Sequence, residues 1–150
     1  MAEFSHIDAE GRPRMVDVSG KSRERRTAVA TGRIALAPET VNRIAEKDMA
    51  KGDVLTVAEL AGVQAAKQTA ALIPLCHSLP LAHVEVRAQL QDAGVAVTAT
   101  ATAVGQTGVE MEALTAVSAA LLTVYDMCKA VDTGMEIGAI RLVEKRKDAL

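Results

Sequence analysis

A chain of 150 residues is long enough for one domain with its own core, and a net charge of −2 gives it no global basic field for nucleic acid. One Phe, one Tyr and no Trp leave no aromatic platform on which bases could stack. Two cysteines are too few for a disulfide scaffold, the first residues show no basic-then-apolar leader, and no run reaches spanning length without polar residues. The expectation is therefore a soluble cytoplasmic protein with reduced thiols, no membrane and no nucleic acid.

Residues 1–26 are polar and broken by Gly11, Pro13 and Gly20, which reads as a flexible N-terminal arm ahead of a single domain over 27–150. Alternation predicts a strand over Thr27 to Leu36. Pro38 then opens a helix to about Asp48. Lys51-Gly52-Asp53 is a turn, and Asp53 or Thr56 caps an Ala-rich helix to about Ala71. Pro74 and Pro80 bracket a loop, Leu75 to Leu79. Strands over Ala82 to Leu90 and Val95 to Val104 flank the hairpin turn Asp92-Ala93-Gly94.

The segment from Thr107 to Lys129 reads as one long helix. Thr107 is placed to cap it, with Glu110 three residues on completing a capping box. Leu114, Val117, Leu121, Val124, Tyr125 and Cys128 fall on one apolar stripe. Glu112, Thr115, Ala119, Leu122, Asp126 and Lys129 fall opposite, with no charge between Glu112 and Asp126. So neutral a second face looks covered by a ligand or another subunit. Glu112 and Asp126 lie about 21 Å apart along a helix, too far for one small ligand on one chain. Either one end is functional, or a symmetric oligomer joins opposite ends of two helices. A last strand runs over Glu136 to Glu144. The order β-αα-ββ-α-β describes an α+β ferredoxin-like sandwich, a four-stranded antiparallel sheet with helices on one face. Val97, Ala99, Ala101 and Ala103 alternate with Thr98, Thr100 and Thr102, which leaves the other sheet face small and neutral.

Several constellations can carry chemistry. Lys51 beside Gly52 can approach a phosphate, although spacing alone favours an exposed turn lysine. Lys67 is an anion ligand or a solvated lysine whose stem covers apolar surface. Cys76-His77, in a stiff loop, suits proton transfer or substrate positioning as well as it suits burial. With three His and no CxxC or HxxxH, metal ligation is weak. Glu110 and Glu112 sit at the positive end of the long helix. Asp126 and Lys129 form either an ordinary i,i+3 pair or a coupled acid–base pair in a covered site. Lys21, Arg23, Arg25 and Arg26 with Arg141, Lys145, Arg146 and Lys147 could meet on a polyphosphate.

These residues sit within longer matching segments: Ser5-His-Ile-Asp8, Met15-Val-Asp-Val-Ser19, Lys51-Gly-Asp-Val54, Ala61-Gly-Val-Gln-Ala-Ala-Lys67, Leu72-Ile-Pro-Leu-Cys-His77, Thr107-Gly-Val-Glu-Met-Glu-Ala-Leu-Thr-Ala-Val-Ser118 and Tyr125-Asp-Met-Cys-Lys-Ala130. Together they span nearly the whole chain, and in them it resembles the MoaC family of molybdenum-cofactor biosynthesis, the cyclic pyranopterin monophosphate synthases. The resemblance implies a homo-hexamer, a trimer of dimers, with active sites between subunits. It implies a substrate, 3′,8-cyclo-7,8-dihydro-GTP, supplied by a radical SAM enzyme and converted to cyclic pyranopterin monophosphate and pyrophosphate. It places Lys51, Asp126 and Lys129 at the catalytic centre. Leu75, Cys76, His77, Met111 and Glu112 contact the substrate, with Glu110, Lys67, Lys21, Arg26 and Lys145 towards its base or phosphates. No cofactor is required, and Mg²⁺ accompanying the triphosphate is compatible with it. Two departures stand out. Ser78 replaces the family's usual Pro, and Arg146 to Leu150 replace a glycine-rich tail that would offer amides to a phosphate. The rival reading is a non-catalytic oligomeric nucleotide-binding or regulatory protein on the same fold. An RNA-binding ferredoxin-like domain is poorer, because the aromatics it needs are missing.

Overall fold

A computed structural model describes residues 3–150; Met1 and Ala2 of the expected arm lie outside the described residues. In chain order the elements are β1 (Glu24–Ala35), α1 (Pro38–Ala45), α2 (Val54–Lys67), α3 (Thr69–Leu72), β2 (Leu81–Gln91), β3 (Gly94–Gly105), α4 (Glu110–Cys128) and β4 (Glu136–Asp148). The strands form one antiparallel sheet in the order β2-β3-β1-β4. That is the ferredoxin-like arrangement expected from the element order, with α2 and α4 packed side by side over one face.

The core is built of small residues. Ala28, Ala30 and Ile34 of β1 and Val95, Val97, Ala99, Ala101 and Ala103 of β3 point to the helices and are buried. Val117, Leu121 and Val124 of α4 pack on them with no exposed surface. Among the described residues α4 is the one helix long and apolar enough to cross a membrane, but its apolar residues are largely consumed by this packing. At Gly62 of α2 an added Cβ would lie 2.9 Å from Val86 and 3.0 Å from the Ala116 carbonyl, so glycine sets how closely α2 approaches α4 and the sheet.

Several expected boundaries move, each for a local reason. Strand β1 begins at Glu24 rather than Thr27, since Glu24 to Arg26 find partners in Gly105 to Ala103. Helix α1 stops at Ala45 rather than near Asp48, because Lys47 turns left-handed at φ 56°. The Ala-rich helix ends at Lys67 and not Ala71. There the Thr69 hydroxyl donates to the Ala65 and Ala66 carbonyls, and a separate turn, α3, follows. Asp53, not Thr56, caps α2, its carboxylate accepting the Thr56 N–H.

The capping box on α4 does not form. Helix α4 starts at Glu110, its N-cap is Val109, and no side chain caps it. Glu110 turns instead to Lys145 on the neighbouring sheet, 3.1 Å away. Strand β4 runs past Glu144 to Asp148, paired with the extended start of β1, so Arg146 and Lys147 belong to the sheet. The other sheet face is neutral only along its middle. Paired rows run His83–Thr102–Thr27–Arg146, Glu85–Thr100–Val29–Glu144 and Arg87–Thr98–Thr31–Arg141, with threonines or valine between charged edge strands.

Candidate active site

The long helix carries a cluster at each end. At its C-terminal end Asp126 lies between two lysines. Lys129 Nζ is 2.7 Å from Oδ1, one helical turn on. Lys51 Nζ is 2.9 Å from Oδ2 and donates to the Asp126 carbonyl at 3.3 Å. Lys51 reaches it from the α1–α2 turn, where Gly52 adopts φ 101°, a conformation open to glycine. Hydrogen bonds from Lys129 and then Lys51 hold the Asp126 carboxyl down to about 2, and the same pairing raises Lys129 above its ordinary value. These side chains are 52%, 55% and 58% exposed for Lys51, Asp126 and Lys129. In the single chain the pair is open to water rather than covered.

The opposite end is drier. Glu112 is only 4% exposed. It does not face away from the core with Leu122 and Asp126, as helical spacing suggested. Two covering layers widen the buried arc, and Glu112 shares the side occupied by Ala113, Ala116 and Ala120. Its Oε1 lies 3.8 Å from the Cys76 thiol, while Oε2 is buried without a partner. Burial raises the Glu112 carboxyl, and Glu110 adds to that, against the lowering bonds of its own N–H and Cys76. Burial, then the nearby Glu112 carboxylate, push the Cys76 thiol up to about 11. A mostly apolar cleft of about 450 Å³, lined by His6, Ile73, Pro74, Leu75, Cys76 and Met111, opens beside them.

Around this end the basic residues divide. Arg26 and Lys145 share a cleft with Gly108, Glu110, Arg146 and Lys147. Arg26 also pairs with Glu24 at 3.0 Å, and its buried Nε has no partner. His77 Nε2 stands 2.6 Å from the Val16 carbonyl, which ties the loop to the arm. Lys21 offers its carbonyl to Gln106, 3.1 Å away. Ser78, with His77 and Arg23, lines a further cleft. Lys67 stands apart, beside His83 in a cleft with Val63, Leu79 and Leu81. Among the described residues no three His, Cys, Asp or Glu gather as a metal site.

The chain thus brings Lys51, Asp126 and Lys129 together, and Leu75, Cys76, Met111, Glu112, Glu110, Arg26 and Lys145 together, but not the two groups with each other. Sequence reasoning missed that Glu112 is buried. The signal was present in Glu112, Ala116 and Ala120, whose four-residue spacing places the acid on a small-residue helix contact. It also missed Asp132, a buried carboxylate just beyond α4, 6% exposed.

Fold and site together define a small α+β enzyme domain, with an ionised acid held between lysines and a desolvated carboxylate at the far end of one helix. The MoaC family pattern matches residues 15–148, and the chain belongs to that family. It is 57% identical over 147 residues to a protein of Roseiflexus sp. named cyclic pyranopterin monophosphate synthase, covering 97% of this chain and 93% of that one. The protein of that name from Thermomicrobium roseum is also 57% identical over 147 residues, covering 97% and 89%. A molybdenum cofactor biosynthesis bifunctional protein of Chlorobaculum tepidum is 54% identical over 143 residues, 95% of this chain but 46% of that longer one.

Proposed function

We propose that this chain is a cyclic pyranopterin monophosphate synthase, a lyase that converts 3′,8-cyclo-7,8-dihydro-GTP to cyclic pyranopterin monophosphate and pyrophosphate. The observation that carries the reading is the Lys51–Asp126–Lys129 cluster, with Nζ to carboxylate distances of 2.9 and 2.7 Å. Opening the imidazole ring, rebuilding it as a pterin and closing a cyclic phosphate all require proton transfers. In the last of these a ribose hydroxyl attacks the α-phosphorus, its proton passes to a base, and pyrophosphate leaves with the bonding pair.

Asp126, held ionised, accepts and orients. Lys129, its ammonium stabilised by Asp126, is the proton donor, and Lys51 completes the cluster. Leu75, Cys76, His77, Met111 and Glu112 form the wall for the guanine-derived rings. Lys67, Lys21, Arg26 and Lys145 answer the negative phosphates, with Mg²⁺ as an accompanying counter-ion where one is needed. Glu110, already paired with Lys145, sets how that lysine is presented.

Because the clusters stand at opposite ends of a helix of 19 residues, one active site takes each from a different subunit. A hexamer built as a trimer of dimers supplies that arrangement and covers the exposed lysines. The substrate comes from a radical SAM enzyme, and the work is cytoplasmic.

Turnover of the cyclised GTP intermediate, read as pyrophosphate and pterin, tests the reading. Wild type should form both products. Lys51→Ala and Asp126→Asn should assemble and bind substrate yet lose at least about a hundredfold in rate. Near-wild-type rates in Asp126→Asn would sink the assignment of the cluster. Tight binding by wild type without product would favour a nucleotide-binding regulator instead.

A further inference from the structure

Asp132 lies outside both clusters, yet it is buried and each of its carboxylate oxygens accepts a backbone N–H. It is 6% exposed. Its Oδ2 accepts the Ala37 N–H at 2.8 Å and its Oδ1 accepts the Gly134 N–H at 3.2 Å. Burial raises this carboxyl, but the bonds from Ala37, Thr40 and Gly134 outweigh it and hold the group below the ordinary carboxylate range. Thr40 is itself buried at 1%. The Asp132 N–H donates to the Cys128 carbonyl at 3.0 Å, so the residue forms part of the turn that closes α4.

This turn and its partner lead straight to the lysines. Lys129 heads the turn, with its N–H on the Tyr125 carbonyl at 2.9 Å, and Asp126 lies one turn earlier. On the other side Ala37 is the N-cap residue of α1. Its methyl caps nothing, and Asp132 takes its N–H from across the fold. Helix α1 has 8 residues, and the turn after it ends at Lys51 and Gly52. The two halves of the cluster therefore hang from segments joined by the Asp132–Ala37 bond. Lys51 and Lys129 are long, half-exposed side chains. Their tips meet one carboxylate only if the backbones that carry them keep their spacing.

We propose that Asp132 is a positioning residue, which locks the exit of α4 to the start of α1 and so sets the reach of Lys51 and Lys129 onto Asp126. The assignment rests on the reading of that cluster as the reacting one, but its geometric content can be measured without turnover. Asparagine at 132 keeps the shape and one acceptor, but turns an NH₂ towards one of the two backbone N–H groups.

The test is carboxyl-carbon NMR titration of Asp126 in the full-length protein, beside kcat and KM with the cyclised GTP intermediate. In wild type Asp126 should stay ionised down to about pH 3. In Asp132→Asn its midpoint should move up towards the ordinary range, with kcat lower by roughly ten- to a hundredfold and KM within about twofold. Thr40→Val, which removes the hydroxyl but keeps the shape, should shift both readouts in the same direction and stands in if the first variant does not fold. An Asp126 midpoint that stays put while only the melting temperature falls would overturn the proposal, leaving Asp132 a cap and nothing more. A raised midpoint with full turnover would uphold the positioning and overturn the catalytic reading of the cluster.

Discussion

Cys76 and Glu112 show how two ionisable groups in one dry place constrain each other. The thiol is raised by burial first and by the adjacent carboxylate second, to about 11, so at neutral pH it stays protonated and donates to Glu112. Cys76 should therefore resist alkylation by iodoacetamide near neutral pH. Glu112→Gln removes the charge but not the burial, so the thiol falls only part of the way, and alkylation at mildly alkaline pH should quicken several-fold. Peptide mapping checks it, because fully buried Cys128 is expected to remain unlabelled in both proteins. Equal labelling rates would mean that burial alone sets the thiol. Spacing does not announce this pair, since Cys76 and Glu112 come from a loop and a helix 36 positions apart, and only the family resemblance set both beside the substrate. The Asp126–Lys129 pairing, by contrast, was legible, because i and i+3 meet on any helix. Spacing alone makes Lys51 a turn lysine beside Gly52; only the family resemblance set it with Asp126, 75 positions away.

At the scale of elements, the sequence carries strand and helix identity through alternation and punctuation, and loses the ends wherever a tertiary partner decides them. Arg25 and Arg26 look like arm and Lys147 and Asp148 look like tail, yet Arg25 pairs with Asp148 and Arg26 with Lys147 as strand. Thr107 and Glu110 have the spacing of a capping box, but Lys145 offers Glu110 a charged partner that the helix end does not. The α2–α4 packing is tighter than its sequence suggests. A side chain at Gly62 meets Val86 and the backbone of Ala116 rather than a flexible tip. Gly62→Val should cost about 1–3 kcal/mol, seen as a lower denaturation midpoint with unchanged slope. The burden falls on the helix that carries both clusters, so the variant should lose activity in parallel with stability. A midpoint equal to wild type would show that α2 can withdraw without cost.

At the scale of the whole molecule, the distance between Glu112 and Asp126 is what makes the proposed sharing of sites between chains testable. Fourteen residues of helix separate them by about 21 Å. A chain folded with both groups in place presents two separate clusters, one dry and one open to water. The exposed faces of Leu122 and Tyr125 on α4 and of Val57 and Leu60 on α2 are apolar surface beside the open cluster. If opposite ends of two chains form each site, two dead variants can rescue each other. Asp126→Asn and Glu112→Gln should each be nearly inactive alone. Unfolded together in equal amounts and refolded, they form mixed pairs in which one site carries both changes and the other carries neither. In an isologous pair, random mixing restores about a quarter of the wild-type sites. Sedimentation of the same sample reports whether the chains associate at all. Recovery near that fraction requires shared sites. An associated but inactive mixture would confine the chemistry to one end of one chain, and the dry carboxylate at the other end would then serve the fold and not the reaction.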